Sequence, residues 1–193
     1  MLNFISTSVE ATMGFMFFMK CLCAIGIAAV LMVLYVAFRF RKIGGLSAGC
    51  MALVALVQDI IVVYFTFVIL RFPIDSNFMA VILTIIGYSL NDTIVIYDRV
   101  RENRRLLGRD VSTAELYNVS ANQMLKRTIY TSLTTALAIG TVLVVCLIMN
   151  IDSVVTFALP MLLGVIYGCF SSTCIAGPLW VAWQNRKAKK AAK

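Results

Sequence analysis

Five long apolar blocks constrain this 193-residue chain more than any other feature: roughly Gly14 to Phe38, Leu46 to Leu70, Phe78 to Tyr97, Ile129 to Met149 and Val154 to Trp183. A helix rises about 1.5 Å per residue, so about twenty apolar residues are needed to cross a hydrocarbon core of ~30 Å. Every block reaches that length. Backbone polar groups inside lipid must be satisfied within the protein, which leaves helices and closed barrels as spanning structures. The expectation is an all-α membrane protein with a bundle of five transmembrane helices. Composition agrees. The chain is 61% hydrophobic and 13% charged, against about 45–50% and about 25% for soluble domains. The blocks take up most of the residues and leave no room for a sizeable water-soluble domain.

A net charge of +8 with no histidine raises the question of a nucleic-acid partner. The placement of the charge answers it. Arg39, Arg41 and Lys42 follow the first block, and Arg99, Arg101, Arg104, Arg105, Arg109, Lys126 and Arg127 follow the third. Arg186, Lys187, Lys189, Lys190 and Lys193 close the chain, which makes fifteen of the 17 basic residues on alternate connections. Only Lys20 and Arg71 fall on or near the other side. The positive-inside rule therefore predicts an outside N-terminus, a cytoplasmic C-terminus and no nucleic-acid partner. The domain reading is an extracytoplasmic segment over 1–13, a membrane domain over 14–183 with a cytoplasmic loop at 98–128, and a basic tail over 184–193. Residues 1–12 are polar and lack a basic start, so the first block is expected to stay as an anchor. Within the loop, Ser112 and Glu115 have the spacing of a capping box that opens a short cytoplasmic helix. The six cysteines sit in or beside apolar blocks with no CxxC spacing, and read as small packing residues rather than a metal set.

Carboxylates at membrane depth need a reason, because a charge at the bilayer centre costs ~2.5–3.5 kcal/mol on insertion scales. Asp59, preceded by Gln58, falls near the middle of the second block. Asp92 lies six residues, ~9 Å of helical rise, before Asp98 at the edge of the third, too deep to reach water on a short side chain. Thr84, Tyr88, Asp92 and Val95 share one helix face with Asn91 beside it, a polar stripe expected to point into the bundle. Arg127, Thr131, Thr134 and Thr135 form a second stripe on the fourth block. Arg127 reads either as an ion-pair partner for Asp92 or as a topology anchor that bends its long side chain to water. Asp92 and Asp59 read either as hydrogen-bonded glue between helices or as groups that take up and release a proton. In the fifth block Gly164, Gly168, Ser172 and Ala176 recur every four residues, a small-residue face for close helix packing, and Pro160 is expected to bend that helix.

The run Gly87-Tyr88-Ser89-Leu90-Asn91-Asp92-Thr93-Ile94-Val95-Ile96-Tyr97-Asp98-Arg99-Val100-Arg101-Glu102-Asn103 closely resembles the signature of SecF proteins. Further along, Tyr35 to Phe40, Gln58-Asp59-Ile60, Asn118-Val119-Ser120, Gln123, Arg127-Thr128 and Thr131 to Thr135 extend the resemblance over essentially the whole chain. SecF belongs with SecD among resistance-nodulation-division (RND) type membrane proteins of the bacterial inner membrane. The resemblance implies a proton-driven accessory of the Sec preprotein translocase. Asp92 matches the family's fourth-helix aspartate and Arg127 its fifth-helix arginine, both implicated in proton conduction. Two departures stand out. Gln58 occupies a place where the family usually has histidine. The chain also begins where the second of six family helices begins, so the preprotein-gripping role attributed to the family's outer domain is expected from elsewhere.

Together these readings predict a membrane subunit that works with a SecD-like partner beside the SecY/SecE/SecG channel to couple ion movement to preprotein export. The coupling ion is a proton, or Na+ in its place. The chain has no Walker-type loop, no covalent chemistry is implied, and neither an enzyme activity nor another cofactor is expected. Two alternatives stand beside this reading: a non-conducting assembly module of the translocase, and another RND-type transporter for lipid or drug.

Overall fold

A computed structural model describes residues 11–41, 44–108 and 111–191. The expected extracytoplasmic segment therefore lies largely outside the described residues. Helix α1 covers Ala11–Arg39, α2 Gly45–Leu70, α3 Ser76–Leu106, α4 Thr113–Ile148, α5 Asp152–Ser171 and α6 Gly177–Ala191. A five-residue π-helical segment, Ser172–Ala176, joins α5 to α6 without a break. The spans are α1 from Met19, α2, α3, α4 and the continuous α5–α6 rod, five in all among the described residues, with no strand.

Local chemistry sets the helix ends. Gly44 precedes α2 at a φ of 85°, a left-handed conformation that glycine adopts without a Cβ penalty. A Cβ on the next residue, Gly45, would lie 2.5 Å from the carbonyl oxygen of Ala37, so α1 and α2 close up only on glycine. Asp75 caps α3 by accepting from the backbone N–H groups of Asn77 and Phe78. Ser112 caps α4 by accepting from the N–H of Glu115 at 3.2 Å.

Helix α3 lies at the centre, packed against α2, α4 and α5. Half of its most apolar window is buried, against 11% for α1, which leans mainly on α2. Val81, Ile82, Ile85, Ile96 and Val100 fill the interior from α3, and Ala48, Ala52, Leu56, Val63 and Phe67 meet them from α2. Phe67 and Phe78 meet edge to face with ring centroids 5.0 Å apart. Leu31, Leu34, Ile69 and Leu137 point outward, as lipid-facing side chains do.

Here the structure differs from the expected loop at 98–128. Helix α3 continues past Tyr97 to Leu106, and the helix capped by Ser112 is no separate element but the start of α4. At 31 and 36 residues the two helices measure ~46 and ~54 Å, well beyond ~30 Å of hydrocarbon. Their extensions pack on each other through buried Val100, Leu116 and Tyr117. Asn103 adds polar contacts, donating from Nδ2 to Ser120 Oγ at 2.8 Å and to Gln123 Oε1 at 2.9 Å. The change from apolar to charged residues marks the edge of the membrane, not the end of the helix.

Candidate functional site

Two polar centres occur at membrane depth. The first surrounds Asp59 on α2, which is 1% exposed. Ser89 of α3 donates to Asp59 Oδ2 at 2.6 Å, and its hydroxyl lies 3.2 Å from that of Ser172. Ser172 Oγ in turn donates to the Ser89 carbonyl at 3.0 Å. Ser171 lies against the same carboxylate, while its own hydroxyl donates to Gly168 O. Next to Asp59, Gln58 donates from Nε2 to Tyr167 Oη at 2.6 Å, a contact that ties α2 to α5.

These contacts depend on how α5 and α6 approach α3. A Cβ on Gly164 would lie 2.7 Å from Ile85 Cδ1, and one on Gly168 3.6 Å from Ser89 Cβ. Gly164, Gly168, Ser172 and Ala176 are all buried on this side. The π-helical segment follows directly, and Pro178 gives its physical reason. Proline has no N–H to offer the carbonyl four residues back, and its ring crowds that carbonyl. In membrane helices such freed groups are satisfied by local π adjustment and by neighbouring side chains. Tyr117 of α4 donates to Thr173 O and Tyr97 of α3 to Ala176 O. A Cβ on Gly177 would fall about 2 Å from the Tyr117 ring, so only glycine fits there.

The second centre surrounds Asp92 on α3, 3% exposed. Its Oδ2 is buried with no hydrogen-bond partner among the described residues. The charge of Arg127 acts on it, but the two do not form an ion pair. The described pairs are Arg39–Asp98, Arg99–Glu102 and Arg101–Asp98. Arg127 instead lines a cleft of about 300 Å³ between α3 and α4 with Val95, Asp98, Arg99 and Glu102. Val95 lies less than one helical turn from Asp92, ~4.5 Å of rise, so the cleft ends just short of the carboxylate.

The polar stripes around Asp92 do not point into the bundle as expected. Thr84 and Asn91 are exposed and Tyr88 is half-buried, because α2 and α5 occupy the neighbouring face of α3 that carries Ile85, Ser89 and Ile96. On α4, Arg127 and Thr134 are exposed and Thr131 and Thr135 half-buried. The three threonine hydroxyls donate to carbonyls of their own helix, Thr131 to Arg127 O, Thr134 to Tyr130 O and Thr135 to Thr131 O. Tyr88 crosses the seam and donates to Ser132 Oγ at 3.0 Å. Both stripes thus flank the α3–α4 seam on the outside of this chain. Sequence reasoning missed Ser89, Ser171, Ser132 and the tyrosine caps of the π segment. Gly177-Pro178 was the available signal for the last.

Comparison with known proteins gives consistent matches. The family model described as "Protein export membrane protein SecD/SecF, C-terminal" matches residues 3–186. The protein translocase subunit SecF of Sebaldella termitidis is 37% identical over 96% of this chain and 57% of its own length. The protein translocase subunit SecDF of Bacillus subtilis is 36% identical over 95% of this chain and 24% of its own length. A crystal structure of SecDF in a super-membrane-facing form superposes with a TM-score of 0.77 at 38% identity, covering 88% of this chain and 22% of that one. A second, of SecDF from Thermus thermophilus, a translocon-associated membrane protein, gives 0.75 at 37% identity over 86% of this chain and 22% of that one. The chain thus spans little more than half of the SecF relative and about a quarter of the SecDF relative. The bundle is the RND-type fold of these SecDF structures.

Proposed function

The chain belongs to the SecD/SecF family of protein-export membrane proteins, and on that premise we propose that it is the membrane portion of a SecF subunit that couples proton movement to preprotein export. It works with a SecD-like partner beside the SecY/SecE/SecG channel in the bacterial inner membrane, with its N-terminus outside and its basic tail in the cytoplasm. One observation carries this reading. Asp92 is buried at membrane depth with an unpartnered oxygen, beside a polar face that the described residues leave uncovered. Asp59 Oδ1 is unpartnered too, but Ser89 holds the other oxygen of that carboxylate, whereas Asp92 receives no hydrogen bond among the described residues; a carboxylate held only for packing has its oxygens hydrogen-bonded. One that exchanges an ion needs an open coordination position and a path to water. The cleft lined by Val95 and Arg127 supplies the path to within one turn.

Arg127 is the group that sets the balance at Asp92. Burial disfavours the ionised form of a carboxyl and a neighbouring guanidinium favours it, so a small change in their separation moves a proton on or off. Asp59, with Ser89 and Ser172, is an internal relay position on the other side of α3. One charge crossing 100 mV releases ~2.3 kcal/mol, enough to bias a conformational cycle without nucleotide. Na+ serves the same site if hydroxyls of the partner complete its shell. No covalent step belongs to this function.

Infrared titration of the Asp92 carboxyl band in membranes tests the pairing, with Asp92→Asn identifying the band. Replacing Arg127 by alanine is expected to displace the titration. A band that titrates identically with and without Arg127 would leave the arginine as a topology anchor.

A further inference from the structure

At the end of the bundle where α1 passes into α2, a cavity of about 710 Å³ opens between those helices and α6. It lies where the spans Met19–Arg39 and Gly45–Leu70 meet, hence at a boundary between hydrocarbon and water. Its charged lining groups are Arg41 and Lys187, both cationic. Lys187 also lines a neighbouring hollow with Arg186, Lys189 and Lys190, and no carboxylate lines either one among the described residues. The Arg41 guanidinium sits 5.0 Å over the Phe38 ring, which holds it at the rim. The rest of the wall is apolar and open: Leu34, Phe38 and Leu46 are 60%, 72% and 69% exposed. Trp183 stands beside them, half-exposed, as an indole does at a membrane interface.

The cavity is held in shape before any ligand arrives. Ser47 Oγ donates to Gly44 O at 2.6 Å and accepts from Gln184 Nε2 at 3.0 Å, which fixes α6 against the start of α2. That contact keeps Trp183 and Lys187 at the mouth. The combination of two cations, an apolar wall and an interfacial indole is amphipathic in one direction. A soluble anion would leave the apolar wall unused, and a zwitterionic lipid would leave the cations with no net charge to neutralise. We propose that this cavity binds an anionic phospholipid, with its phosphodiester against Arg41 and Lys187 and an acyl chain along Leu34, Phe38 and Leu46.

The two tryptophans make the test direct, since Trp180 is 1% exposed and Trp183 50%. The full chain is reconstituted in phosphatidylcholine vesicles carrying brominated phosphatidylglycerol or, at equal mole fraction, brominated phosphatidylcholine. Quenching of Trp183 should show about a thirtyfold preference for phosphatidylglycerol, the scale expected of two basic residues near a membrane surface. Arg41→Gln combined with Lys187→Gln should bring the ratio to about one, whereas Lys190→Gln and Arg41→Lys should keep most of it. Soluble glycerophosphoglycerol, the headgroup without chains, should not relieve the quenching. Equal quenching by both lipids, an unchanged ratio in the double variant, or relief by the soluble headgroup would each overturn the proposal. So would an equal loss from Lys190→Gln, which would reveal diffuse surface charge in place of a site.

Discussion

Asp59 and Asp92 are almost equally buried, on adjacent helices, yet the chain surrounds them differently. Asp59 receives a short hydrogen bond from Ser89 and lies among hydroxyls that α5 carries in on a small-residue face. Among the described residues, Asp92 receives no hydrogen bond at Oδ2 and stands at the margin of a face that none of them covers. One oxygen of each, Asp59 Oδ1 and Asp92 Oδ2, is buried without a hydrogen-bond partner among the described residues; the difference is that Ser89 holds the other oxygen of Asp59 inside the bundle, whereas Asp92 lies beside the open α3–α4 seam. Polar groups facing lipid are expensive, so the open side of the α3–α4 seam calls for a second membrane bundle. The SecD-like subunit proposed above would meet that need.

The frame of the Asp59 centre breaks first at Gly177. A Cβ there meets the Tyr117 ring at about 2 Å, so Gly177→Ala must displace the ring and its bond to Thr173 O. Overpacking of this kind costs about 3 kcal/mol, measurable as a lowered midpoint of unfolding in mixed detergent. A smaller loss is expected from Ser89→Ala, which removes the Asp59 hydrogen bond and leaves the carboxyl short of a partner, about 2 kcal/mol by the same measurement. Ser89→Thr, which keeps a hydroxyl, should recover part of it. At the other centre Tyr88→Phe removes only the bond to Ser132 across the seam, about 1 kcal/mol. If Tyr88→Phe proved as damaging as Ser89→Ala, the contrast between a closed and an open centre would not hold.

The depth of both carboxylates was legible in the sequence because apolar runs locate the membrane and any aspartate inside one stands out. The surroundings of each were harder to read. Ser89, Ser171 and Ser172 look like small packing residues in an apolar block, and only the approach of α5 and the π segment onto α3 gathers their hydroxyls around Asp59, with Ser89 donating to it and Ser172 meeting Ser89. Helical periodicity grouped Thr84, Tyr88 and Asp92 correctly on one side of α3 but gave no information on which side faces inward. The inward side is instead the one carrying Ile85 and Ser89, where Gly164 and Gly168 admit α5. Charge at Arg99 and Lys126 marked where lipid ends, while the backbone stayed helical through α3 to Leu106 and from Thr113 in α4, since helices in water need only an amphipathic seam such as Val100 with Leu116.

The most direct test compares gradient-driven preprotein export by vesicles holding the SecY/SecE/SecG channel, this chain and a SecD-like subunit, with Asp92→Asn set against Asp59→Asn. The account predicts that Asp92→Asn assembles normally but loses all stimulation by an imposed proton gradient, whereas Asp59→Asn, which keeps the Ser89 contact, retains part of it. Full stimulation in an assembled Asp92→Asn complex would contradict the account and identify the chain as a non-conducting assembly module.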